Sequence, residues 1–156
     1  MHQKRKDKKP LRILLTGTIL DNLEIITTIE QYGAFIDVSD TCNGWRYYCN
    51  TIDENEEDKM GAITRFYLNK IACPRMLETE EKEERLLEII KERKIDGVIF
   101  YTLKFCDTAL FQLPLLREKM KLIGIPSLYL EGDFSSNVSG QLRTRIQAFM
   151  EALEFD

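Results

Sequence analysis

The segment TEEKEERLLEIIKERKIDGVIFY, residues 79–101, decides the fold. Its first part places Leu86, Leu87, Ile89 and Ile90 in one apolar stripe, which predicts an amphipathic helix over 79–94. Its second part, 95–101, is short and apolar, which is typical of a buried strand. A helix that leads at once into a buried strand is part of a β-α-β unit, so the segment predicts a parallel sheet.

The same alternation continues in both directions from this segment. Apolar runs at 11–16, 34–38 and 127–130 predict three more strands, and helical spacing predicts helices over 20–32, 59–68, 109–123 and 139–153. Asp21 or Asn22 is the expected N-cap of the helix over 20–32, and Gly33 is its expected end. We therefore predict an α/β fold, with a small parallel four-stranded sheet in the order 2-1-3-4 and helices on both faces, as in a flavodoxin- or Rossmann-like lobe. Residues 1–10 are expected to form a basic flexible tail, and 11–156 a single α/β domain.

Composition excludes several classes of protein. The net charge of −4 gives no electrostatic case for binding nucleic acid. No apolar run has the length of a membrane span, and the basic N-terminus lacks the apolar region of a secretory signal. We therefore expect a cytoplasmic protein without a membrane partner. In that reducing compartment the four cysteines are expected to be metal-binding, catalytic or merely packed, not paired in disulfides.

Two of these cysteines are expected at one edge of the sheet. Ligands of parallel sheets bind beyond the carboxyl ends of the strands, at the point where strand order reverses. Cys106 follows the third strand and precedes a helix, whose dipole favours a thiolate, although a small buried hydrophobe is the alternative. Cys42 leaves the second strand at the same edge. Cys73 precedes Pro74 in a predicted loop, and Cys49 is interpreted as packing within an aromatic segment.

Other candidates have weaker support. Gly17 starts a loop that lacks both the G-x-G-x-x-G spacing and a Walker lysine, so it is not expected to bind a nucleotide. The single histidine lies in the tail, which excludes a histidine-based triad. Arg143 and Arg145, near the start of the last helix, are interpreted as surface or ion-pair residues, with a phosphate or coenzyme A contact as the alternative. Glu131 and Asp133, at the end of the fourth strand, are interpreted as structural caps, with a position facing the pocket as the alternative.

Seven segments in a fixed order resemble one known family. They are Arg12-Ile-Leu-Leu-Thr-Gly17, Asp40-Thr-Cys-Asn-Gly-Trp-Arg46-Tyr, Ala72-Cys-Pro-Arg75, Asp96-Gly-Val-Ile-Phe-Tyr, Lys104-Phe-Cys-Asp107, Glu131-Gly-Asp133 and Gly140-Gln-Leu-Arg-Thr-Arg145. Together they resemble the C-terminal domain of the 2-hydroxyacyl-CoA dehydratase family, which includes benzoyl-CoA reductase subunits and double-cubane cluster proteins. The resemblance runs from about residue 11 to about residue 153.

The resemblance implies an iron–sulfur enzyme of the anaerobic, acyl-CoA-converting type. In that family an ATP-dependent activator protein supplies one electron, and a 2-hydroxyacyl-CoA loses water to give an enoyl-CoA. The cluster, a [4Fe-4S] cluster or a double cubane, is held by cysteines from two similar lobes or subunits. Cys106 matches the ligand of the C-terminal lobe, and Cys42 and Cys73 match further cysteine positions that would ligate iron in the double-cubane branch.

This sequence also departs from the family pattern. Family subunits are more than twice as long, and Gly132 stands where threonine is usual. A cluster needs about four ligands, so this chain is expected to be a fragment, a split subunit or a divergent stand-alone copy that is inactive by itself. Three functions remain open: a dehydratase lobe, a double-cubane-type reductase subunit, and a non-catalytic assembly module.

Overall fold

The computed structural model describes residues 9–70, 79–133 and 138–155. The predicted tail at 1–10 lies almost entirely outside this part. The strands are β1 (Leu11–Gly17), β2 (Ala34–Asp40), β3 (Gly97–Leu103) and β4 (Ser127–Gly132). The helices are α1 (Glu24–Gln31), α2 (Trp45–Tyr48), α3 (Lys59–Leu68), α4 (Thr79–Arg93), α5 (Asp107–Leu122) and α6 (Gly140–Phe155).

The four strands form one parallel sheet in the order β2-β1-β3-β4, which confirms the predicted order. Thr16, near the end of β1, is paired with Asp40 of β2 on one side and with Phe100 of β3 on the other. Strand order reverses between β1 and β3. The carboxyl ends of these two strands therefore define the edge at which a ligand is expected.

Strand β3 is buried along its whole length, and its side chains alternate between two apolar layers. Ile99 and Tyr101 belong to the layer that contains buried side chains of α1 and α6. Val98 and Phe100 belong to the layer that contains those of α4 and α5. Helices therefore cover both faces of the sheet, as predicted. No helix in the described ranges is both long and apolar enough to cross a membrane.

Helix α1 begins four residues later than predicted, at Glu24 instead of residue 20. The reason is that Leu20 is held at the sheet edge: its backbone N–H donates to Asn43 Oδ1 at 3.0 Å and its carbonyl accepts from Asn43 Nδ2 at 2.9 Å. Leu23 occupies the N-cap position without a side-chain cap bond, so the prediction of Asp21 or Asn22 as N-cap was wrong. Asn22 still accepts a hydrogen bond from the Glu24 N–H at 2.9 Å.

Candidate functional site

Cys106 lies at the carboxyl edge of the sheet and is the N-cap residue of α5, as the sequence predicted. Its amide donates to the Leu103 carbonyl at 3.2 Å, and its own carbonyl accepts the first hydrogen bonds of the helix. The residue before it, Phe105, has a φ of 65° and a side chain that is 91% exposed. Because this backbone region is unfavourable for a residue with a Cβ, the turn is held by its surroundings.

The Cys106 thiol is half-buried at the mouth of this turn. The hydroxyl oxygen of Thr108, in the first turn of α5, lies 3.8 Å from its Sγ. A sulfur at a helix N-terminus with a partly open approach is able to act as a ligand for a soft metal.

Cys42 occupies the turn that follows β2, and it is also half-buried. Its amide donates to the Thr18 carbonyl at 3.2 Å, so this turn is attached to the chain that leaves β1. Asn43, the next residue, holds Leu20 through the two hydrogen bonds described above. The structure thus places Cys42 and Cys106 at the same edge, as the topology predicted.

A buried ion pair anchors the turn that carries Cys42. Arg46 of α2 donates through Nε to Asp40 Oδ1 and through Nη2 to Asp40 Oδ2, each at 2.9 Å. Arg46 Nη2 also donates to the Asp40 carbonyl at 2.6 Å, and Thr16 Oγ1 donates to the carboxylate at 2.7 Å. The turn from Asp40 to Arg46 is therefore closed at its base by a bidentate, charge-assisted contact.

Of the other two cysteines, only Cys49 lies in the part of the chain that the structure describes. Cys49 follows α2, and its Sγ lies 3.6 Å from the Arg46 carbonyl, which fits its predicted packing role. Cys73 lies outside the described residues. Within the ranges that the structure describes, no three His, Cys, Asp or Glu side chains lie close enough together to hold a metal ion. Cys106 fits the role of one ligand, and the described residues do not complete a cluster site.

A cavity of about 390 Å³ opens beside this edge, between the ends of β3 and β4 and the starts of α1 and α6. Its lining residues are Asn22, Ile25, Tyr101, Lys104, Tyr129, Glu131, Gly132, Asp133, Val138, Ser139, Gln141, Leu142 and Arg145. Lys104 pairs with Asp133 at 3.5 Å, and the Tyr129 hydroxyl donates to Glu131 at 2.8 Å. Glu131, near the end of β4, and Asp133, directly after it, thus line the cavity, and each has a hydrogen-bonding or ionic partner there.

Tyr101 forms the inner wall of the cavity. Its hydroxyl donates to Asp21 Oδ1 at 3.3 Å. Burial, followed by the nearby charge of Asp21 and this hydrogen bond, raises the pKa of Tyr101 to about 12. A Cβ on Gly132 would lie 2.1 Å from the Tyr101 hydroxyl oxygen. The glycine at 132 is therefore explained by the tyrosine ring, which occupies the space that a side chain there would need.

The two arginines of α6 have structural partners. Arg143 is paired with Glu24 and lies 3.5 Å from Thr28 Oγ1, so it joins α6 to α1. Arg145 donates to the Tyr129 carbonyl at 2.6 Å at the rim of the cavity. These contacts support the ion-pair interpretation of Arg143, and they leave Arg145 as a residue of the cavity wall.

Four sets of contacts at this edge were not predicted from the sequence: the clamp by Asn43, the Arg46–Asp40 pair, the Tyr101–Asp21 contact and the hydrogen bonds of Thr18. A signal existed for Asp40, Asn43, Arg46 and Tyr101, since they lie in family segments quoted above. For Thr18 and Tyr101 the partners are about 80 residues away along the chain, and only the sheet order brings them together.

The chain matches the sequence profile of the family described as 2-hydroxyglutaryl-CoA dehydratase, D-component, over residues 1–153. It is 31% identical over 143 residues to the (R)-phenyllactyl-CoA dehydratase beta subunit of Clostridium sporogenes, covering 91% of this chain and 38% of that protein. It is 30% identical over 152 residues to the putative dehydratase subunit YjiM of Escherichia coli (strain K12), covering 96% and 39%.

A third relative comes from the reductase side of the family. It is a benzoyl-CoA reductase subunit of Thauera aromatica, which is 26% identical over 136 residues, covering 85% of this chain and 34% of that protein. The chain thus spans less than two-fifths of the length of any of these three relatives.

Proposed function

This chain belongs to the 2-hydroxyglutaryl-CoA dehydratase D-component family, and on that premise we propose that it is the cysteine-bearing C-terminal lobe of a 2-hydroxyacyl-CoA dehydratase-type enzyme. The complete enzyme would convert a 2-hydroxyacyl-CoA into an enoyl-CoA and water, a reaction without net oxidation or reduction, with one catalytic electron supplied by an ATP-dependent activator. An iron–sulfur cluster would supply the one-electron chemistry. This chain would contribute Cys106 as a ligand, and a second lobe or subunit of the same family would contribute the rest.

The placement of Cys106 carries this proposal. It is a half-buried thiol at a helix N-terminus, at the carboxyl edge beside the reversal of strand order, and it lies in one of the family segments. Those three properties favour a role of the sulfur as a ligand, and they argue against a packing role. What this chain does is hold the sulfur in place and shape the edge around it.

The outward face of α5 supports a partner on this side of the chain. Leu113, Leu116 and Met120 point into the core, yet Phe111 and Leu115 on the opposite side are 83% and 58% exposed. A helix that is apolar on both sides is typical of one that is covered on both sides. Because Cys106 is the N-cap of α5, a lobe or subunit packed on the outward face of this helix would also lie next to the thiol.

A double-cubane-type reductase is the second candidate, and the similarity to the benzoyl-CoA reductase subunit of Thauera aromatica favours its reductase part and does not bear on the cluster type. In that case Cys42 and Cys73 would ligate iron together with Cys106. The two candidates differ in what a substitution of Cys42 does: iron content falls in a reductase of this type and is retained in a dehydratase lobe.

Iron and sulfide analysis after anaerobic reconstitution tests the proposal. Because this chain supplies one ligand, residues 11–153 are placed in the Clostridium sporogenes beta subunit in exchange for its matched segment, and the isolated chain is expected to retain little iron. We expect the hybrid to retain iron, its C106S variant to lose most of it, and its matched C49S variant to retain it. Equal iron in C106S and the unsubstituted hybrid would refute the assignment of Cys106. A hybrid that lacks iron would leave the non-catalytic assembly role as the function.

A further inference from the structure

Thr18 makes three hydrogen bonds that connect the two cysteine-bearing turns. Its amide donates to the Tyr101 carbonyl at 3.0 Å, and its Oγ1 accepts from the Leu103 amide at 2.9 Å. Its carbonyl accepts from the Cys42 amide at 3.2 Å. The Thr18 residue is only 4% exposed, so these bonds lie out of contact with bulk water.

These bonds form a continuous path between the two cysteines. The path runs from the Cys42 amide to the Thr18 carbonyl, then from Thr18 Oγ1 to the Leu103 amide, and from the Leu103 carbonyl to the Cys106 amide at 3.2 Å. Only one link in it depends on a side chain, namely the hydroxyl of Thr18. A single substitution is thus able to break the path without removing any backbone group.

Gly17 makes the path possible. The end of β1 approaches β3 so closely that a Cβ at residue 17 would lie 1.8 Å from the Tyr101 carbonyl oxygen. This approach brings Thr18 within hydrogen-bonding distance of both Tyr101 and Leu103. Thr18, directly after β1, therefore bonds both to the end of β3 and to the turn after β2.

We propose that Thr18 is a positioning residue that fixes the Cys42 turn relative to the Cys106 turn. This inference rests on the proposed function for its purpose, since the Cys106 sulfur has to be held at a fixed position to ligate a cluster shared with another lobe, and Cys42 is a further ligand only in the second candidate. The inferred coupling between the two turns rests on the hydrogen bonds alone. Loss of the Thr18 hydroxyl leaves the Leu103 amide buried without its acceptor, which loosens the end of β3 and, through it, both turns.

Amide hydrogen exchange followed by NMR tests the coupling. In T18V we expect the Leu103 and Cys106 amides to exchange about tenfold faster, as loss of one buried acceptor implies. The informative amide is that of Cys42, because its own acceptor, the Thr18 carbonyl, is unchanged in T18V. Coupling predicts that it also exchanges about tenfold faster. T18S retains the hydroxyl and should behave like the unsubstituted chain.

Two controls separate positioning from general loss of stability. The Cys49 amide, which donates to the Trp45 carbonyl at 2.8 Å, is outside the path and should exchange at an unchanged rate in T18V. T28V removes another buried threonine hydroxyl, in α1, and should leave the Cys42 and Cys106 amides unaffected. Faster exchange at Leu103 without Cys42, or equal acceleration at Cys42 and Cys49, would overturn the proposal.

Iron content links this result to the proposed function and keeps the two separable. Under anaerobic reconstitution of the hybrid, T18V should retain less iron than T18S, although neither variant changes a cysteine. If the exchange coupling is found while C106S keeps its iron, the proposed function fails and the positioning role stands. If C106S loses iron while T18V and T18S retain equal amounts and exchange alike, the positioning role fails and the ligand assignment stands.

Discussion

Arg46 and Asp40, which lie six positions apart in the chain, form a buried ion pair with two hydrogen bonds of 2.9 Å. Both residues are 5% exposed. Between them lies the turn that carries Cys42, so the pair closes the base of that turn. A buried charge is stable only when its partner is present, and removal of one partner leaves the other charge without compensation.

Removal of the Arg46 charge should therefore destabilise the chain strongly. We expect R46M to lower the free energy of unfolding by about 3–5 kcal/mol, because it leaves the Asp40 carboxylate buried and without its arginine. Urea denaturation measures this change. The matched control is R85M, since Arg85 pairs with Glu88 at 3.0 Å on the exposed surface of α4.

The control should change stability by less than about 1 kcal/mol, since it removes only a partly exposed ion pair and the contact of the Arg85 guanidinium with the Trp45 ring. A double variant that adds Asp40→Asn to Arg46→Met should recover part of the lost stability, because the uncompensated carboxylate is then removed. Equal effects of R46M and R85M would contradict the assignment of the pair as a structural anchor.

The parts of this fold that follow from short-range pattern were predictable. The apolar runs and helical stripes gave the strands, the sheet order and the position of Cys106 at the start of α5 correctly. The start of α1 was not predictable, because Leu20 is held by Asn43, which lies 23 residues further along the chain. Helical spacing alone extends the helix across residues that a tertiary contact holds in another conformation.

The candidate site likewise has features that follow from strand order and contacts that depend on the register between strands. The rule for parallel sheets predicted that Cys42 and Cys106 share an edge, since it depends only on strand order. The contacts that fix this edge depend on register: Thr18 reaches Leu103 because the end of β1 is paired with the end of β3. The strand order places the segment 16–18 at this edge, but periodicity contains no information about the register between strands so far apart in the chain, so the hydrogen bonds of Thr18 could not be predicted.

Tyr101 should give the chain a specific loss of stability at high pH. Burial first, and then Asp21, raises its pKa from 10.0 to about 12 in the folded state. The folded state thus favours the protonated phenol, and this stabilisation is fully present below about pH 10. It is lost as the pH rises from about 10 to about 12, because the unfolded chain ionises first. At about 1.4 kcal/mol per pKa unit, the loss amounts to about 2–3 kcal/mol.

Denaturation at a series of pH values, with Y101F as reference, measures this contribution. The variant should lack the part of the alkaline loss that Tyr101 causes, although Tyr129, whose pKa burial also raises, still contributes. D21N should lower the pKa of Tyr101 in a titration that follows tyrosinate absorbance, since it removes the second-largest cause. Identical alkaline profiles for the unsubstituted chain and Y101F would show that the Tyr101 hydroxyl is not held as described.

Gly17 and Gly33 offer a matched test of the approach between β1 and β3, because both have positive φ, of 143° and 87°. A Cβ at residue 33 meets nothing within 4 Å, whereas one at residue 17 would overlap the Tyr101 carbonyl. G33A should therefore cost only the backbone strain of about 1–2 kcal/mol. G17A adds a clash with backbone that cannot rotate away, and we expect a loss of about 4 kcal/mol or more in chemical denaturation.

Since Thr18 follows Gly17 directly, G17A should also accelerate amide exchange at Leu103 and Cys42, whereas G33A should leave the exchange at both amides unchanged. Equal costs for the two variants would mean that β1 and β3 are able to separate at this edge without penalty, and the fixed relation between the two cysteine turns would then have no structural basis.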